Sequence, residues 1–215
     1  IGCKMIKKGI ILAGGLGTRI SDHSDLPKPM ISINGIPIIA HILKIFINQG
    51  FNEFIIAVGY KGNIIKKYFE KNFLQNNIQV VDTGLKTLTG NRLKKLKGFL
   101  PEENFMLTYG DGLCNVDLKK LSKFHLNHQK LVTVTAVHPP ARFGELVLKK
   151  SNVINFEEKP QLQKGWINGG FFVFKKEFLD LIPKKQVMLE REPLKIVVKK
   201  KQFMAFKHKY FWHCM

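Results

Sequence analysis

Cysteine is scarce in this sequence, and its few copies form no recognisable pattern. The chain contains three cysteines, Cys3, Cys114 and Cys214, which are widely separated and include no Cys-x-x-Cys pair. Such a set predicts neither a disulfide framework nor a zinc site, and it is typical of a reducing compartment. We therefore expect a cytoplasmic protein.

Long apolar runs are absent as well. No stretch approaches the roughly 18 uninterrupted apolar residues that a transmembrane helix requires. The short apolar run near the N-terminus is also too brief for a secretory signal. We expect no association with membranes.

Acidic residues are few, and the charge is correspondingly one-sided. The sequence has 16 Asp and Glu against 35 Lys and Arg, which gives a formal net charge of +19. This excess would steer any polyanion toward the protein, so nucleic acid, acidic lipid and nucleotides are all conceivable partners. The basic residues are spread along the chain in doublets and triplets, however, and a lysine-rich composition explains that spread at least as well. Nucleic acid is therefore not an expected partner.

The composition that remains suits one sizeable core. The chain has 215 residues, of which 45% are hydrophobic and 17 are phenylalanine. A chain of this length and composition can bury a core of its own. We predict a single domain over 1–215.

Short apolar runs alternate with segments of helical periodicity in the first 130 residues. The pattern predicts strands at 10–12, 54–58, 78–81 and 105–107, and helices at 38–47, 63–73, 90–99 and 118–127. This alternation is typical of a Rossmann-like α/β fold, an open mixed, mostly parallel sheet with helices on both faces. The closely spaced strand patterns at 131–137, 145–149, 153–156 and 171–174 predict added antiparallel strands beside the open edge of that sheet.

A glycine-rich segment follows the first predicted strand, where an open parallel sheet binds its ligands. Gly14, Gly15 and Gly17 would let backbone N–H groups approach a phosphate, although a purely conformational glycine turn is the alternative. Neither the dinucleotide fingerprint nor the P-loop is complete here. Two cations favour phosphate: Arg19, a fork-shaped guanidinium, and Lys28, which lies between two prolines. Together they are expected to hold a triphosphate.

Asp111 lies between two glycines shortly after the predicted strand at 105–107. Mg²⁺ prefers a few carboxylates together with substrate phosphates and water, so one well-placed Asp is a credible ligand. An ordinary Asp-Gly turn is the alternative interpretation. His125 and His128 share one helix face but have no third partner, and we interpret them as structural.

Several motifs, in a fixed order, resemble those of the sugar nucleotidylyltransferases. They are the segments 12–19 (LAGGLGTR), 27–30 (PKPM), 109–112 (YGDG), 143–144 (FG), 158–160 (EKP) and 168–170 (NGG). Four further segments resemble the glucose-1-phosphate cytidylyltransferase branch of that family: 82–84 (DTG), 89–94 (TGNRLK), 134–144 and 166–172 (WINGGFF). The resemblance spans nearly the whole chain and implies a nucleotidyltransferase fold.

The resemblance also implies residue roles. The matching nucleotide-binding positions are Leu12, Gly14, Gly15, Gly17, Thr18, Arg19, Lys28, Arg92 and Asp111, with Asp111 also holding Mg²⁺. The matching sugar-phosphate positions are Gly144, Glu158, Lys159 and Asn168, of which Lys159 contacts the phosphate. Arg19, Lys28, Asp111 and Lys159 are the implied catalytic residues. For Arg92, an ordinary solvated helix face is an equally good interpretation.

The implied reaction transfers a cytidylyl group from CTP to glucose 1-phosphate and gives CDP-glucose and pyrophosphate, with Mg²⁺ as cofactor. The alternatives are the same reaction with another nucleoside triphosphate or hexose 1-phosphate, and a non-catalytic nucleotide-binding homologue. A homo-oligomer and a role in polysaccharide biosynthesis are implied by association.

The family's second metal carboxylate follows the Phe211-Trp212 motif and would lie beyond Met215. We therefore expect that the C-terminal end of the domain is missing, together with helices used for packing and assembly. A site without that carboxylate is expected to bind Mg²⁺ and nucleotide less tightly and to turn over slowly.

Overall fold

A computed structural model describes residues 6–15, 26–139, 145–157 and 165–215. Its strands are β1 (Lys8–Ala13), β2 (Ser32–Ile33), β3 (Ile36–Pro37), β4 (Glu53–Val58), β5 (Asn77–Asp82), β6 (Asn104–Tyr109), β7 (Gly112–Cys114), β8 (Val132–Val137), β9 (Glu145–Lys149), β10 (Asn152–Glu157), β11 (Ile167–Lys175), β12 (Phe203–His208) and β13 (Trp212–Cys214). Its α-helices are α1 (Ile38–Ile47), α2 (Gly62–Asn72), α3 (Thr89–Lys95), α4 (Leu118–His128) and α5 (Glu192–Lys199). Short 3-10 helices span Lys28–Met30, Lys97–Phe99 and Lys176–Leu181.

The main sheet has seven strands in the order β12-β8-β11-β6-β1-β4-β5. β1 runs parallel to β4 and β6, and β5 continues parallel to β4. β12 is parallel to β8, whereas β11 is antiparallel to both of its neighbours. β1 and β4 are central strands with apolar residues on both faces, which is the pattern that parallel sheets require. The predicted mostly parallel sheet is confirmed.

Helices cover both faces of this sheet, as the alternating pattern predicts. One buried layer contains Ile11 of β1 together with Ile39 and Phe46 of α1. The other contains Ile10 and Leu12 of β1, packed with residues of α3 and α5. Because successive strand residues point to opposite faces, a single central strand contributes to both layers.

The predicted antiparallel addition is confirmed, because the parallel strands β6-β1-β4-β5 end at β6 and β11 pairs antiparallel with that edge strand. Within the described residues, β11 is the antiparallel strand of the main sheet, and it is inserted between β6 and β8. β9 and β10 instead form a separate antiparallel pair. Strand spacing along the sequence signals hairpins but does not specify that β9 and β10 pair apart from the main sheet.

The turn at Asn34-Gly35 introduces the first helix. Both residues have positive φ, 50° and 76°, and they join β2 to β3 in a two-residue hairpin. Asn-Gly is strongly favoured in such turns because it tolerates this backbone conformation. Pro37 then precedes α1. Within the described part of the chain, no helix is long and apolar enough to cross a membrane.

The buried histidine on α4 belongs to a chain of hydrogen bonds. The Lys130 N–H donates to Nδ1 of His128, so Nε2 of a neutral His128 carries the proton and donates to the Thr133 hydroxyl at 2.7 Å. That hydroxyl then donates to Nδ1 of His125 at 2.8 Å, and Nε2 of His125 donates to Asn104 at 3.2 Å. These contacts support the structural interpretation of both histidines.

This network predicts that the protein loses stability in mild acid. Burial, with smaller contributions from His128 and Lys175, lowers the pKa of His125 from 6.5 to about 3. The unfolded chain therefore binds a proton below pH 6.5 that the folded protein excludes, so stability falls as the pH drops from 6.5 toward 3.

We expect the free energy of unfolding to decrease by about 2 kcal/mol between pH 7 and pH 5, measured by urea titration. His125→Gln should flatten this dependence, and His213→Gln, at an exposed position, should not. An unchanged slope in His125→Gln would contradict the prediction.

Candidate active site

The carboxyl ends of the parallel strands gather the described candidate residues at one edge of the sheet. Leu12 and Gly14 lie at the end of β1, and Asp111 follows the end of β6. The Gly110 N–H donates to the Leu12 carbonyl at 3.0 Å, so the Asp111 turn is tied to β1. The structure therefore brings together a glycine segment and a carboxylate that are almost 100 residues apart in sequence.

Lys28 and Asp111 form an ion pair within this edge. The ammonium lies 2.7 Å from Oδ2 of Asp111, and the two side chains are 20% and 27% exposed. Lys28 belongs to a 3-10 turn that Pro27 and Pro29 stiffen, with Met30 N–H donating to the Pro27 carbonyl at 2.7 Å. A fixed backbone presents the lysine at the site with little loss of conformational entropy.

The last residues of the chain also reach this point. β13 pairs with β7, and the Met215 N–H donates to the Asp111 carbonyl at 3.2 Å. The Lys28 ammonium also donates to the Met215 carbonyl oxygen. The Trp212 indole N–H donates to the Gly169 carbonyl at 2.8 Å and links this strand to β11. The sequence interpretation missed β13, because three residues are too few for a periodic signal.

Arg92 is buried and its guanidinium is held by five acceptors. These are the carbonyl oxygens of Val58 (2.6 Å), Gly14 (2.9 Å), Gly84 (3.2 Å) and Thr87 (2.9 Å), and the hydroxyl of Thr83. Burial lowers the pKa of Arg92, and Asp82 opposes that shift. The side chain is 2% exposed, so the alternative of a solvated helix face is wrong. A contact between Arg92 and a nucleotide stays a prediction.

The Arg92 side chain also explains why Gly14 is a glycine. A Cβ atom at Gly14 would lie 2.0 Å from the guanidinium, which its five hydrogen bonds hold in place. Among the described residues other than its chain neighbours, no atom lies within 4 Å of a Cβ built at Gly15. The two glycines therefore differ. Gly14 leaves room for the Arg92 guanidinium, whereas Gly15 is exposed and leaves its backbone accessible to a ligand.

A polar cluster around Tyr109, two residues before Asp111, was not recognised from the sequence. The Tyr109 hydroxyl donates to Oε1 of Glu190, and Thr89 donates to Oε2 at 2.9 Å. Asn168 hydrogen-bonds Tyr109, while its Oδ1 accepts from the Gly170 N–H at 2.8 Å. Burial raises the pKa of Tyr109 well above its usual value, and Glu190 raises it further. Glu190 lies in none of the motif segments identified from the sequence, so only the fold could reveal this cluster.

Some predicted site residues lie outside the described part of the chain. They are Gly17, Thr18, Arg19, Gly144, Glu158 and Lys159. β9 begins directly after Gly144, and β10 ends directly before Glu158. The roles assigned to these residues stay predictions.

Asp111 is the described residue best suited to hold a divalent cation. In the described ranges, no group of three or more His, Cys, Asp or Glu side chains could bind a metal. The Asp111 carboxylate is partly exposed, and Lys28 contacts one of its oxygens. This arrangement fits Mg²⁺, which is commonly bound by one or two carboxylates and completes its shell with phosphates and water.

The fold and this edge define an α/β enzyme that handles phosphorylated substrates. The chain belongs to the nucleotidyl transferase family, whose model matches residues 8–213. It is 40% identical, over 232 residues, to the glucose-1-phosphate cytidylyltransferase of Salmonella typhimurium, covering 97% of this chain and 90% of that protein. It is 38% identical to the probable glucose-1-phosphate cytidylyltransferase of Bacillus subtilis, covering 95% and 89% of the two chains.

Solved structures agree with this family assignment. HddC from Yersinia pseudotuberculosis matches with a TM-score of 0.75 and 26% identity, covering 97% of this chain and 93% of that chain. A structure of HddC complexed with GMP-PN matches equally well. The resemblance to sugar nucleotidylyltransferases that the motifs indicate is thereby confirmed.

Proposed function

We propose that this protein transfers a cytidylyl group from CTP to glucose 1-phosphate and releases CDP-glucose and pyrophosphate. The observation that carries the proposal is the Lys28–Asp111 pair at the carboxyl edge of β6, in a chain 40% identical to a glucose-1-phosphate cytidylyltransferase. We also propose that the protein acts in the cytoplasm, in polysaccharide biosynthesis.

The chemistry needs no general base. An oxygen of the sugar phosphate, already an anion at neutral pH, forms a bond to the α-phosphorus of CTP. The bond from that phosphorus to the oxygen bridging to the β-phosphate breaks, and pyrophosphate leaves with the electron pair. The main obstacles are repulsion between anions and their alignment, which fixed cations can reduce.

We propose that Lys28 binds the triphosphate. Its side chain is 20% exposed, and an arriving phosphate can replace the Asp111 oxygen as the partner of its ammonium. Arg19 is proposed to hold the same triphosphate, and Lys159 the phosphate of the sugar. Asp111 would hold Mg²⁺, which when bound neutralises phosphate charge.

Arg92 supports this site through the backbone of the glycine segment. Because its guanidinium holds the Gly14 carbonyl at 2.9 Å, it fixes that peptide plane. The exposed face at Gly15 is then available for a substrate phosphate or base. We propose that Arg92 positions the nucleotide site even if it touches no ligand.

A panel of substrates tests the proposed function. We expect pyrophosphate release with CTP and glucose 1-phosphate to exceed that with dTTP, UTP or GTP, or with mannose 1-phosphate, by about tenfold or more in kcat/KM. Protection against thermal unfolding by each nucleotide is measured in parallel. Preference for another pair would assign a different member of the same family. Binding of CTP without turnover would support the non-catalytic alternative and overturn the proposal.

A further inference from the structure

Helix α3 begins without a capping side chain of its own. Leu88, which precedes the helix, has an apolar side chain that cannot accept a hydrogen bond. The first N–H groups of an α-helix have no partner within the helix, so they need acceptors from elsewhere. The Leu88 N–H donates to Oε1 of Gln186 at 3.0 Å, and the Gly90 N–H donates to the Val187 carbonyl at 3.1 Å. Residues 183–187, the anchor segment, therefore supply acceptors for the start of a helix that is distant in sequence.

Asn91 attaches the same helix to the anchor segment. The residue is 7% exposed, and its Nδ2 donates to the Pro183 carbonyl at 3.3 Å and to the Lys185 carbonyl at 3.0 Å. Its Oδ1 accepts from the Val187 N–H at 2.6 Å. The opposite orientation of the amide would direct its oxygen at two carbonyl oxygens, so these neighbours require the observed one. Both N–H groups of the Asn91 side chain and its carbonyl oxygen are thus engaged by the anchor segment.

Close backbone packing accompanies these hydrogen bonds at Gly90. A Cβ atom at this position would lie 2.8 Å from the Val187 carbonyl oxygen and 3.3 Å from the Leu189 nitrogen. The start of α3 therefore rests on backbone atoms rather than on flexible side chains. A displacement of the anchor segment is expected to move the helix with it.

Arg92 connects another side of α3 to the glycine segment. Successive residues of an α-helix are about 100° apart around its axis, so Asn91 and Arg92 reach different neighbours. Arg92 donates to the Gly14 carbonyl at 2.9 Å and to the Val58 carbonyl at 2.6 Å. Helix α3 therefore joins the anchor segment to the peptide of Gly14.

The geometry of the Gly14 peptide depends in this way on where α3 lies. Hydrogen bonds weaken as their angles depart from linearity, and the planar guanidinium of Arg92 can satisfy its carbonyl partners only from a narrow range of positions. Supporting contacts have to hold a binding site within about 0.5 Å of its productive geometry. The hydrogen bonds of Asn91 and of the first N–H groups of α3 supply such support.

We propose that Asn91 is a positioning residue of the nucleotide site, which acts through α3 and Arg92 on the peptide of Gly14. This inference rests on the proposed function and extends it, because it locates part of the support for CTP binding in residues 183–187, which no motif contains. Asn91 acts on the nucleotide through its neighbours, since its amide groups are engaged by the anchor segment.

Asn91→Leu tests this assignment. Leucine has nearly the shape of asparagine but no hydrogen-bonding groups, so the substitution releases α3 from the anchor segment without leaving a large cavity. We expect the Kd for CTP, measured by titration calorimetry with Mg²⁺, to rise by about 5- to 30-fold. Gln186→Ala is a milder variant, because it removes one hydrogen bond at an exposed position, and it should raise the same Kd by about two- to fivefold. The milder variant keeps the test open if Asn91→Leu does not fold.

Gln49→Met is the matched control. The Gln49 amide forms a comparable link at the start of α4, where Oε1 accepts from the Leu118 N–H at 2.7 Å and Nε2 donates to the Val116 carbonyl at 3.1 Å. Its loss should lower the urea midpoint of unfolding much as Asn91→Leu does, yet leave the Kd for CTP within about twofold of the wild type. Equal increases in Kd in the two variants would overturn the inference, because general loss of stability would then account for both.

A double-mutant cycle with Arg92→Lys tests the route through Arg92. Lysine keeps the charge but not the planar fork that holds the Gly14 carbonyl. If Asn91 acts through Arg92, the double variant should bind CTP about as weakly as Arg92→Lys alone, and the same should hold for Gln186→Ala combined with Arg92→Lys. Effects on Kd that simply multiply would show that Asn91 acts independently and would overturn the inference.

The proposed function and the inference fail in different ways. If the wild type turns over CTP and glucose 1-phosphate but Asn91→Leu and Gln186→Ala bind CTP with an unchanged Kd, the inference fails while the proposed function stands. A wild type that lacks this turnover contradicts the proposed function, and the inference with it.

Discussion

Replacing Asp111 by Asn is expected to lower kcat/KM by a factor of about 100 to 1,000. The substitution keeps the shape of the side chain but removes the negative charge that we propose for holding Mg²⁺ beside the reacting phosphates. It also leaves the Lys28 ammonium without its partner at 2.7 Å. Steady-state pyrophosphate release at several Mg²⁺ concentrations measures the effect, and higher Mg²⁺ should restore part of the activity.

The chain offers a matched control for this experiment. Asp180 pairs with Lys97 at 2.6 Å, and its side chain is 65% exposed. Asp180→Asn therefore breaks a similar Lys–Asp pair away from the sheet edge, and activity should not change. If Asp111→Asn retained full activity and an unchanged Mg²⁺ dependence, Asp111 would not be the metal ligand.

The second large effect is expected at Arg92. Arg92→Met removes all five hydrogen bonds and leaves the carbonyls of Gly14 and Thr87 without their charged donor, whereas the Val58 carbonyl keeps its two hydrogen bonds from Thr83. Each buried acceptor left unsatisfied costs about 1–3 kcal/mol, and partial rearrangement reduces the sum. We expect the free energy of unfolding to fall by about 3–5 kcal/mol, measured by urea titration.

Two further variants serve as comparisons for Arg92→Met: a control on the same helix and a substitution that keeps the charge. Lys94→Met lies on the same helix and removes a single hydrogen bond, to the Ile182 carbonyl, so it should cost about 1 kcal/mol. Arg92→Lys keeps the charge but not the planar fork and should fall between the two. A loss in Arg92→Met no greater than in Lys94→Met would show that the buried network is not a main source of stability.

Much of the fold was predictable because its signals are local. The apolar runs of β1, β4 and β6 and the helical periodicity of α1, α2 and α4 are set by burial, which the sequence records directly. The insertion of β11 between β6 and β8 was not predictable. Strand order depends on which long-range pairing buries most surface, and no local pattern encodes that choice.

The site was predictable only where a motif marks it. Lys28 and Asp111 each belong to a motif, and the structure places them in contact. Glu190 lies in a segment with no motif, and its importance follows from contacts with residues about 80 to 100 positions away. Arg92 shows a third case, because helical periodicity treats it as a polar surface residue while its partners are backbone carbonyls.

The antiparallel direction of β11 has a consequence for how this protein family can diversify. Val137, at the end of β8, is paired with Ile167, at the start of β11, so the chain between them leaves and returns to the sheet at one place. That segment contains three of the four motif residues assigned to the sugar phosphate, Gly144, Glu158 and Lys159, as well as β9 and β10. Residues gained, lost or exchanged within it are expected to leave the register of the seven-stranded sheet intact. We therefore expect acceptor preference to evolve in this segment independently of the strands proposed to hold the nucleotide.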